Sequence, residues 1–239
     1  MNSPIADGMG RYGRRMELIT STFTIAAKDG ADWGVAVASR VLAVGGIVPA
    51  VESSVGAIAT QATVNVAWKG QGLTLLRAGE PAQAVVARLV AGDAAADRRQ
   101  LAVVDRDGGV AAHTGSACRS WAGHQEGTGF VVAGNILSGP EVIAAMAESF
   151  LGQSGELALR LVSALAAGDR AGGDARGRQS AAVTVARAGG GIEGMDDRLL
   201  DLRVDDHSDP VGELARIVQL GIEEYQRGFA DLSDETGGG

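Results

Sequence analysis

The stretch TFTIAAKDGADWGVAVASR, residues 22–40, decides the fold. Thr22–Ala27 is rich in β-branched residues, Lys28–Asp29–Gly30 is typical of a turn, and Trp33–Ala38 returns as a second strand. These residues predict a β-hairpin whose far end is Ser39–Arg40. The hairpin opens the first of two sheet-forming regions of the chain.

Working outward, the pattern predicts more antiparallel strands and several helices. Strands are expected at Val55–Gln61, at Arg99–Val104 and Val110–His113 across the turn Asp105–Gly109, at Gly129–Gly134, at Ser180–Arg187 and at Leu200–Val204. Helices are expected from Pro81 to Val90, from Pro140 to Phe150, over Leu157–Ala167 with Gly168 as the stop, and from Pro210 to Arg227. Hairpins disfavour a doubly wound parallel sheet, which needs a helix at each crossover. We predict a mixed α/β (α+β) fold in which two antiparallel sheets lie between layers of helices.

Domain organisation follows from the same pass along the chain. Residues 22–230 are predicted to form one domain, because no repeat and no low-complexity linker interrupts them. Residues 1–21 are interpreted as a leader or an early start outside the core, and residues 231–239 as a flexible polar tail. With 46% hydrophobic and 21% charged residues, the chain has enough apolar material for a large core.

Composition also excludes several kinds of partner. The formal net charge of −8 disfavours binding to nucleic acid, whose phosphates would be repelled. No apolar run approaches the ~18 residues that a membrane span requires. The single cysteine, Cys118, fits a reducing compartment and predicts a cytoplasmic protein; we interpret it as an ordinary buried thiol.

Common catalytic and metal-binding motifs are absent from the sequence. There is no phosphate-binding loop, no H-E-x-x-H and no C-x-x-C, and the three histidines lie in separate segments. Asp205–Asp206–His207 with Asp209 is acidic enough to suggest a cation, but capping of the last helix explains the same residues. We therefore predict no metal and no cofactor.

Several distinctive sequence words resemble the DUF1028 family over residues 22–225. They are TFTIAA at 22–27, GVAVASR at 34–40, ATQ at 59–61, LLRAG at 75–79, RQ at 99–100, TGS at 114–116, WAGH at 121–124, GNIL at 134–137, GGD at 172–174, RGRQSA at 176–181 and LRVDDH at 202–207. The resemblance implies the fold of N-terminal-nucleophile (Ntn) hydrolases, a four-layer αββα sandwich. That implication agrees with the arrangement predicted from the hairpins.

The same resemblance implies a nucleophile at Thr22. In Ntn hydrolases the first residue of the mature chain attacks the carbonyl, and its free amine accepts the hydroxyl proton. Residues 1–21 must therefore be removed, or lie before the true start, if Thr22 is to act. No lysine lies between Lys28 and Lys69, so the lysine that serves the proteasome branch is not carried over. A strand threonine without chemistry is the alternative.

The other candidate residues would surround Thr22. The Asn135 amide is expected to donate to an oxyanion, with Gln61 as a weaker candidate, unless Asn135 only forms a turn. Arg40 would supply positive charge near Thr22 or form a structural ion pair. Substrate is expected to be bound by Arg40, Gln61, His124, Asp174 and Arg178. Arg176 belongs with the last two, and an ion network is the alternative explanation of Asp174, Arg176 and Arg178.

The leading functional hypothesis is an amidohydrolase acting on a small amide or peptide-like bond. The first alternative is a non-catalytic Ntn-fold protein that binds a ligand or serves in an assembly. A metal-dependent hydrolase around Asp205, Asp206 and His207 is a further alternative. The resemblance also implies a homo-oligomer, and the expected partner is a small-molecule substrate.

Overall fold

The computed structural model describes residues 18–227. They contain eleven β-strands and six α-helices. The strands are β1 (Ile19–Thr20), β2 (Thr22–Asp29), β3 (Asp32–Ser39), β4 (Pro49–Glu52), β5 (Gly56–Thr63), β6 (Arg99–Asp105), β7 (Val110–Thr114), β8 (Gly123–Gly127), β9 (Phe130–Asn135), β10 (Ser180–Arg187) and β11 (Arg198–Val204). The helices are α1 (Val44–Ile47), α2 (Ala67–Arg77), α3 (Ala82–Ala91), α4 (Glu141–Leu151), α5 (Leu157–Arg170) and α6 (Pro210–Arg227). The tail predicted at 231–239 lies outside the described residues.

The strands form two sheets in which every pairing is antiparallel. The five-stranded sheet has the order β1-β5-β6-β7, and β4 also pairs with β5. The six-stranded sheet has the order β11-β10-β3-β2-β9-β8. The predicted hairpin is its centre: β2 and β3 pair from Thr22 opposite Ser39 to Asp29 opposite Asp32. The predicted mixed fold with two antiparallel sheets is therefore confirmed.

Alternation of side chains along the strands divides the apolar interior into three clusters. One joins α2 and α3 to the five-stranded sheet, for example Trp68 and Leu89 with Ile58. A second lies between the sheets and is built from small residues such as Val37 and Ala59. The third joins α4, α5 and α6 to the six-stranded sheet. Small residues between the sheets allow the two backbones to approach closely.

One predicted helix end was wrong. Gly168 was expected to stop the helix that begins at Leu157, yet α5 continues to Arg170. Gly168 is buried, and a Cβ added there would lie 2.6 Å from the Cγ of Met146 on α4. The glycine is therefore explained by close packing of two helices and not by a helix terminus.

The pairing register brings three strand ends together. Thr22 begins β2 and lies opposite Ser39, the last residue of β3, and opposite Asn135, the last residue of β9. β5 and β6 of the other sheet pair Gln61 with Gln100 at the corresponding end. This end of the sandwiched sheets holds the candidate site.

Candidate functional site

Polar residues replace apolar ones at one end of the space between the sheets. Along β5, for example, Ala57 and Ala59 belong to the cluster between the sheets, and Gln61 is the next residue on the same face. The same replacement occurs on the other strands that reach this end. We call the set the polar end; it comprises Thr22, Thr24, Ser39, Gln61, Gln100, Thr114 and Asn135.

Thr22 is fully buried in the polar end, and its hydroxyl has no partner. The residue is 0% exposed, and Thr22 Oγ1 makes no hydrogen bond with any described residue. Leaving a buried hydroxyl unpaired costs free energy, so such groups are uncommon in folded proteins and call for a reason. A reactive group held in place for chemistry is one such reason.

The chain crosses from one sheet to the other immediately before Thr22. β1 pairs with β5 of the five-stranded sheet, with Thr20 opposite Ala62, whereas Thr22 lies in the six-stranded sheet. Ser21 makes the crossing and is buried. The hydroxyl of Ser39 donates a hydrogen bond to the carbonyl oxygen of Ser21. That carbonyl belongs to the peptide bond that joins Ser21 to Thr22.

Three buried amides beside Thr22 form one hydrogen-bonded network. Gln61 Nε2 donates to Gln100 Oε1 at 2.7 Å, and Asn135 Nδ2 donates to the same oxygen at 3.3 Å. Thr24 Oγ1 donates to Gln61 Oε1 at 2.5 Å. Gln100 Nε2 faces three acceptors, which are Thr114 Oγ1 and the carbonyl oxygens of Gly123 and Gly134. The network fixes the amides predicted at Asn135 and Gln61, and neither is hydrogen-bonded to the Ser21 carbonyl.

Strained backbone follows two of these amides. Ala62, directly after Gln61, has φ +65°, and Ile136, directly after Asn135, has φ +53°. The left-handed region is unfavourable for residues with a Cβ and most so for a β-branched residue such as isoleucine. Strain of this kind concentrates where function requires an unusual backbone. Here it lies on both sides of the segment that leads into Thr22.

Arg40 and Asp174 meet beside the polar end as a structural pair. The backbone N–H of Arg40 donates to Asp174 Oδ2 at 2.9 Å, and the backbone N–H of Arg176 donates to Oδ1 at 2.9 Å. Asp174 is only 6% exposed, so its carboxylate anchors the loop against the end of β3. The guanidinium of Arg40 is directed to Gln179, whose Oε1 lies 2.9 Å from Nη1.

Arg178 lies in a different environment. Its Nε donates to Asp169 Oδ1 of α5 at 2.8 Å, on the helix-covered side of the six-stranded sheet near Phe23. Burial raises the pKa of the Asp169 carboxyl above its usual range, while Arg178 acts in the opposite direction. Ser39 of the polar end lines the same small cavity as Arg178.

His124 lines a surface cavity of about 630 Å³ that adjoins the polar end. Its Nδ1 is hydrogen-bonded to Thr114 Oγ1 at 2.8 Å, and Thr114 in turn accepts from Gln100. Desolvation lowers the pKa of the His124 imidazole below its usual range, although Glu126 opposes the shift and His113 adds to it. The cavity is also lined by Ser116, Cys118, Ser120 and Trp121, among others.

Cys118, expected to be an ordinary buried thiol, is half-buried and lines this cavity. Burial raises the pKa of its thiol, and Sγ contacts the carbonyl oxygen of Arg99 at 3.4 Å. The thiolate, which is the reactive form, is therefore disfavoured at neutral pH.

The acidic stretch after β11 begins a helix. Asp209 Oδ1 accepts a hydrogen bond from the backbone N–H of Gly212 in the first turn of α6, and Asp206 Oδ1 accepts from Gln179. Within residues 18–227, no three or more histidine, cysteine, aspartate or glutamate side chains are placed to hold a metal ion. Nor does that part of the chain contain a helix long and apolar enough to cross a membrane.

Sequence reasoning missed Ser39 and Gln100 as site residues. Ser39 ends β3 and Gln100 lies near the start of β6, and the nearest residue on the same face of each strand is apolar, Val37 on β3 and Ala102 on β6. A hydroxyl or amide that breaks an apolar alternation at a strand end would have identified them. Their meeting could not be predicted, because it depends on the packing of one sheet on the other.

Comparisons with known proteins find similar sequences over most of this chain. A sequence model described as a family of unknown function, DUF1028, matches residues 22–214. Among solved structures, the chain is similar to the crystal structure of protein SPO2555 from Silicibacter pomeroyi, which carries the same family description. The two are 32% identical over 83% of this chain and 84% of that chain, with a TM-score of 0.76. No curated protein matches the chain.

Proposed function

The chain belongs to the DUF1028 family, and we propose that it is an Ntn hydrolase of amide bonds whose nucleophile is Thr22. The observation that carries the proposal is the buried, unpartnered Thr22 hydroxyl next to a carbonyl that already accepts a hydrogen bond from Ser39. The family match also begins at Thr22. Apolar clusters outside and between the two sheets support the four-layer αββα arrangement of such enzymes.

The first reaction in this proposal is cleavage of the chain's own Ser21–Thr22 bond. Thr22 Oγ1 attacks the Ser21 carbonyl carbon, a C–O bond forms, the C–N bond breaks, and the hydroxyl proton passes to the amine that is released. Water then hydrolyses the ester, which leaves a carboxylate on Ser21 and restores the Thr22 hydroxyl. The chain now begins with a free α-amine, a group that can act as a general base.

The mature site repeats this chemistry on an external amide. The Thr22 amine takes the hydroxyl proton, Oγ1 attacks the substrate carbonyl, and the amine passes the proton to the leaving group. Water completes the cycle by hydrolysing the acyl ester. No cofactor enters the scheme.

Ser39 is the donor best placed for the oxyanion. Its hydroxyl already binds the carbonyl oxygen on which negative charge would develop. The amide network does not contact the reacting carbonyl. Its hydrogen bonds hold Asn135, at the end of β9, against Thr22. Asn135 is therefore proposed as a positioning residue, and Arg40 and Asp174 as the pair that fixes the chain after Ser39.

A non-catalytic role is the second candidate, and the burial of Thr22 favours it. While Ser21 remains attached, Thr22 is 0% exposed and its nitrogen is part of a peptide bond. A chain that keeps this bond would bind a ligand or a partner without turnover. Assembly of several copies, binding of a small molecule at His124 or Arg178, and a cytoplasmic location also stay predictions.

The test is hydrolysis of a panel of N-acyl amino-acid amides and short peptide amides with a fluorogenic leaving amine. The parent should hydrolyse at least one, Thr22→Ala should lose about a thousand-fold or more of that activity, and Thr22→Ser should keep part of it. Thr184→Ala, which removes a buried strand threonine far from Ser21, is the matched control and should be unaffected. Equal rates for the parent and Thr22→Ala would refute the nucleophile.

A further inference from the structure

The segment before Thr22 occupies a defined seat on the edge of β5. One edge of β5 pairs with β6, and the other pairs with β4 at Gly56–Ala59 and with β1 at Ala62 and Thr63. The backbone N–H of Val64 donates to the carbonyl oxygen of Leu18 at 3.0 Å. Release of residues before Thr22 would therefore leave a short unpaired strand edge beside the nucleophile. Such edges bind extended peptides by adding a strand.

The seat of Ser21 is small and lined by acceptors. Ser21 Oγ donates to the carbonyl oxygens of Asn135 at 3.3 Å and Ile136 at 3.4 Å, and the residue is 0% exposed. The left-handed Ile136, with φ +53°, belongs to the same wall. A serine fits this seat and shares its one hydroxyl hydrogen between the two carbonyls, of which that of Ile136 also accepts from the backbone N–H of Ala175. A larger side chain would have to displace the ends of β3 and β9.

Resting on the proposed function, we infer that residues 18–21 mark the acyl-side binding track of the enzyme. The substrate class is then an extended peptide that pairs with β5 at Ala62–Val64. It carries a serine, or a residue of similar size with a donor, at the carbonyl that Thr22 attacks. The leader is the first such substrate, held in the track by its covalent bond to Thr22.

The strand pairing supplies a matched pair of variants. Because Leu18 accepts from Val64, the alternation of antiparallel pairs makes Thr20 and Ala62 the next hydrogen-bonded pair, while the N–H of Ile19 points away from β5. Proline removes an N–H. Thr20→Pro thus breaks the pairing with β5, and Ile19→Pro places the same residue type in the same segment without breaking it.

The experiment follows Ser21–Thr22 cleavage in the full chain by mass spectrometry, and then hydrolysis of peptide amides by the product. Thr20→Pro should slow cleavage by at least about tenfold and Ile19→Pro by less than about threefold. The parent should hydrolyse a Leu-Ile-Thr-Ser amide with a kcat/KM at least about tenfold above that for an N-acetyl-serine amide. The Leu-Ile-Thr-Val amide should be at least about tenfold poorer than the serine peptide.

The outcomes separate this inference from the function on which it rests. Equal effects of the two prolines, or equal kcat/KM for the peptide and the single serine amide, would overturn the binding track while the nucleophile stands. Equal kcat/KM for the Leu-Ile-Thr-Ser and Leu-Ile-Thr-Val amides would overturn the preference for serine at this position. No cleavage and no hydrolysis of any amide would overturn the proposed function, and the inference with it.

Discussion

The hydrogen bond from Ser39 to the Ser21 carbonyl is the contact on which the proposed chemistry depends most directly. It joins the last residue of β3 to the bond that Thr22 would cleave, across a register that sets Thr22 opposite Ser39. A donor already in place when negative charge develops stabilises a transition state without reorganisation. Substitutions at this end should therefore fall into two groups, those that lower the rate of hydrolysis and those that affect only the stability of the fold.

Ser39→Ala is expected to lower kcat for amide hydrolysis by about a hundred-fold or more, with KM changed by less than about threefold, because one oxyanion donor is lost. Ser180→Ala is the matched control. Ser180 lies opposite Ser39 on β10, is buried, and donates its hydroxyl to the Val41 carbonyl instead. Steady-state kinetics check the prediction, and equal losses in both variants would mean that Ser39 acts through the fold.

His124 should make the protein less stable in mild acid. Since its pKa is lower in the folded protein than in the unfolded chain, the unfolded state takes up the proton first as the pH falls below about 6.5. The free energy of unfolding in urea should therefore fall between pH 7.5 and pH 5.5, and His124→Asn should reduce that fall. The same pH dependence in the variant would show that other groups are responsible.

At the scale of elements, short α1 reaches the six-stranded sheet through one glycine. A Cβ on Gly45 would overlap the Cβ of Ala182 on β10, whereas a Cβ on the adjacent Gly46 would meet only the tip of Arg203 at 3.7 Å. The contact with Ala182 cannot be relieved by rotating a side chain. Helix α1 follows the end of β3, and its close approach to β10 requires a residue without a Cβ at position 45.

Gly45→Ala should lower the free energy of unfolding by about 1–3 kcal/mol, because the close approach forces a backbone shift. Gly46→Ala, in the same helix, should change it by no more than about 0.5 kcal/mol. Denaturant unfolding of the two variants beside the parent measures both. If Gly45→Ala is as stable as Gly46→Ala, α1 does not approach β10 as closely as described.

The elements that sequence predicted are those with a strong local pattern. The hairpin of β2 and β3, the hairpin across Asp105–Gly109 and the helix from Pro210 to Arg227 are confirmed. β1, β4 and β8 were not predicted, because they are two to five residues long and depend on a neighbouring strand for their hydrogen bonds. The error at Gly168 has the same origin, since its reason lies in Met146 of another helix.

At the scale of the whole molecule, the polar end ties the two sheets together. Gln61 and Gln100 come from the five-stranded sheet, and Thr24 and Asn135 come from the six-stranded sheet. All four are buried, so each of their hydrogen bonds replaces one to water. Sequence reasoning found Thr22, Asn135 and Gln61 as strand-end residues. Gln100, which connects Asn135 to Gln61, follows only from how the sheets stack.

Gln100→Leu should lower the free energy of unfolding by about 3 kcal/mol, because it leaves buried donors on Gln61 and Asn135 without their acceptor. Gln125→Leu, on the exposed face of β8, is the matched control and should change it by about 0.5 kcal/mol or less. Urea unfolding tests the pair. A stable Gln100→Leu protein would mean that the network does not hold the sheets together.

Intact mass spectrometry with N-terminal sequencing of the purified full-length protein is the most direct test of Thr22 as a nucleophile. The proposed chemistry predicts a chain that begins at Thr22, and a chain that keeps residues 1–21 when Thr22 is replaced in Thr22→Ala. Retention of residues before Thr22 on every molecule of the parent, or removal of them from Thr22→Ala as well, would contradict self-cleavage at the Ser21–Thr22 bond.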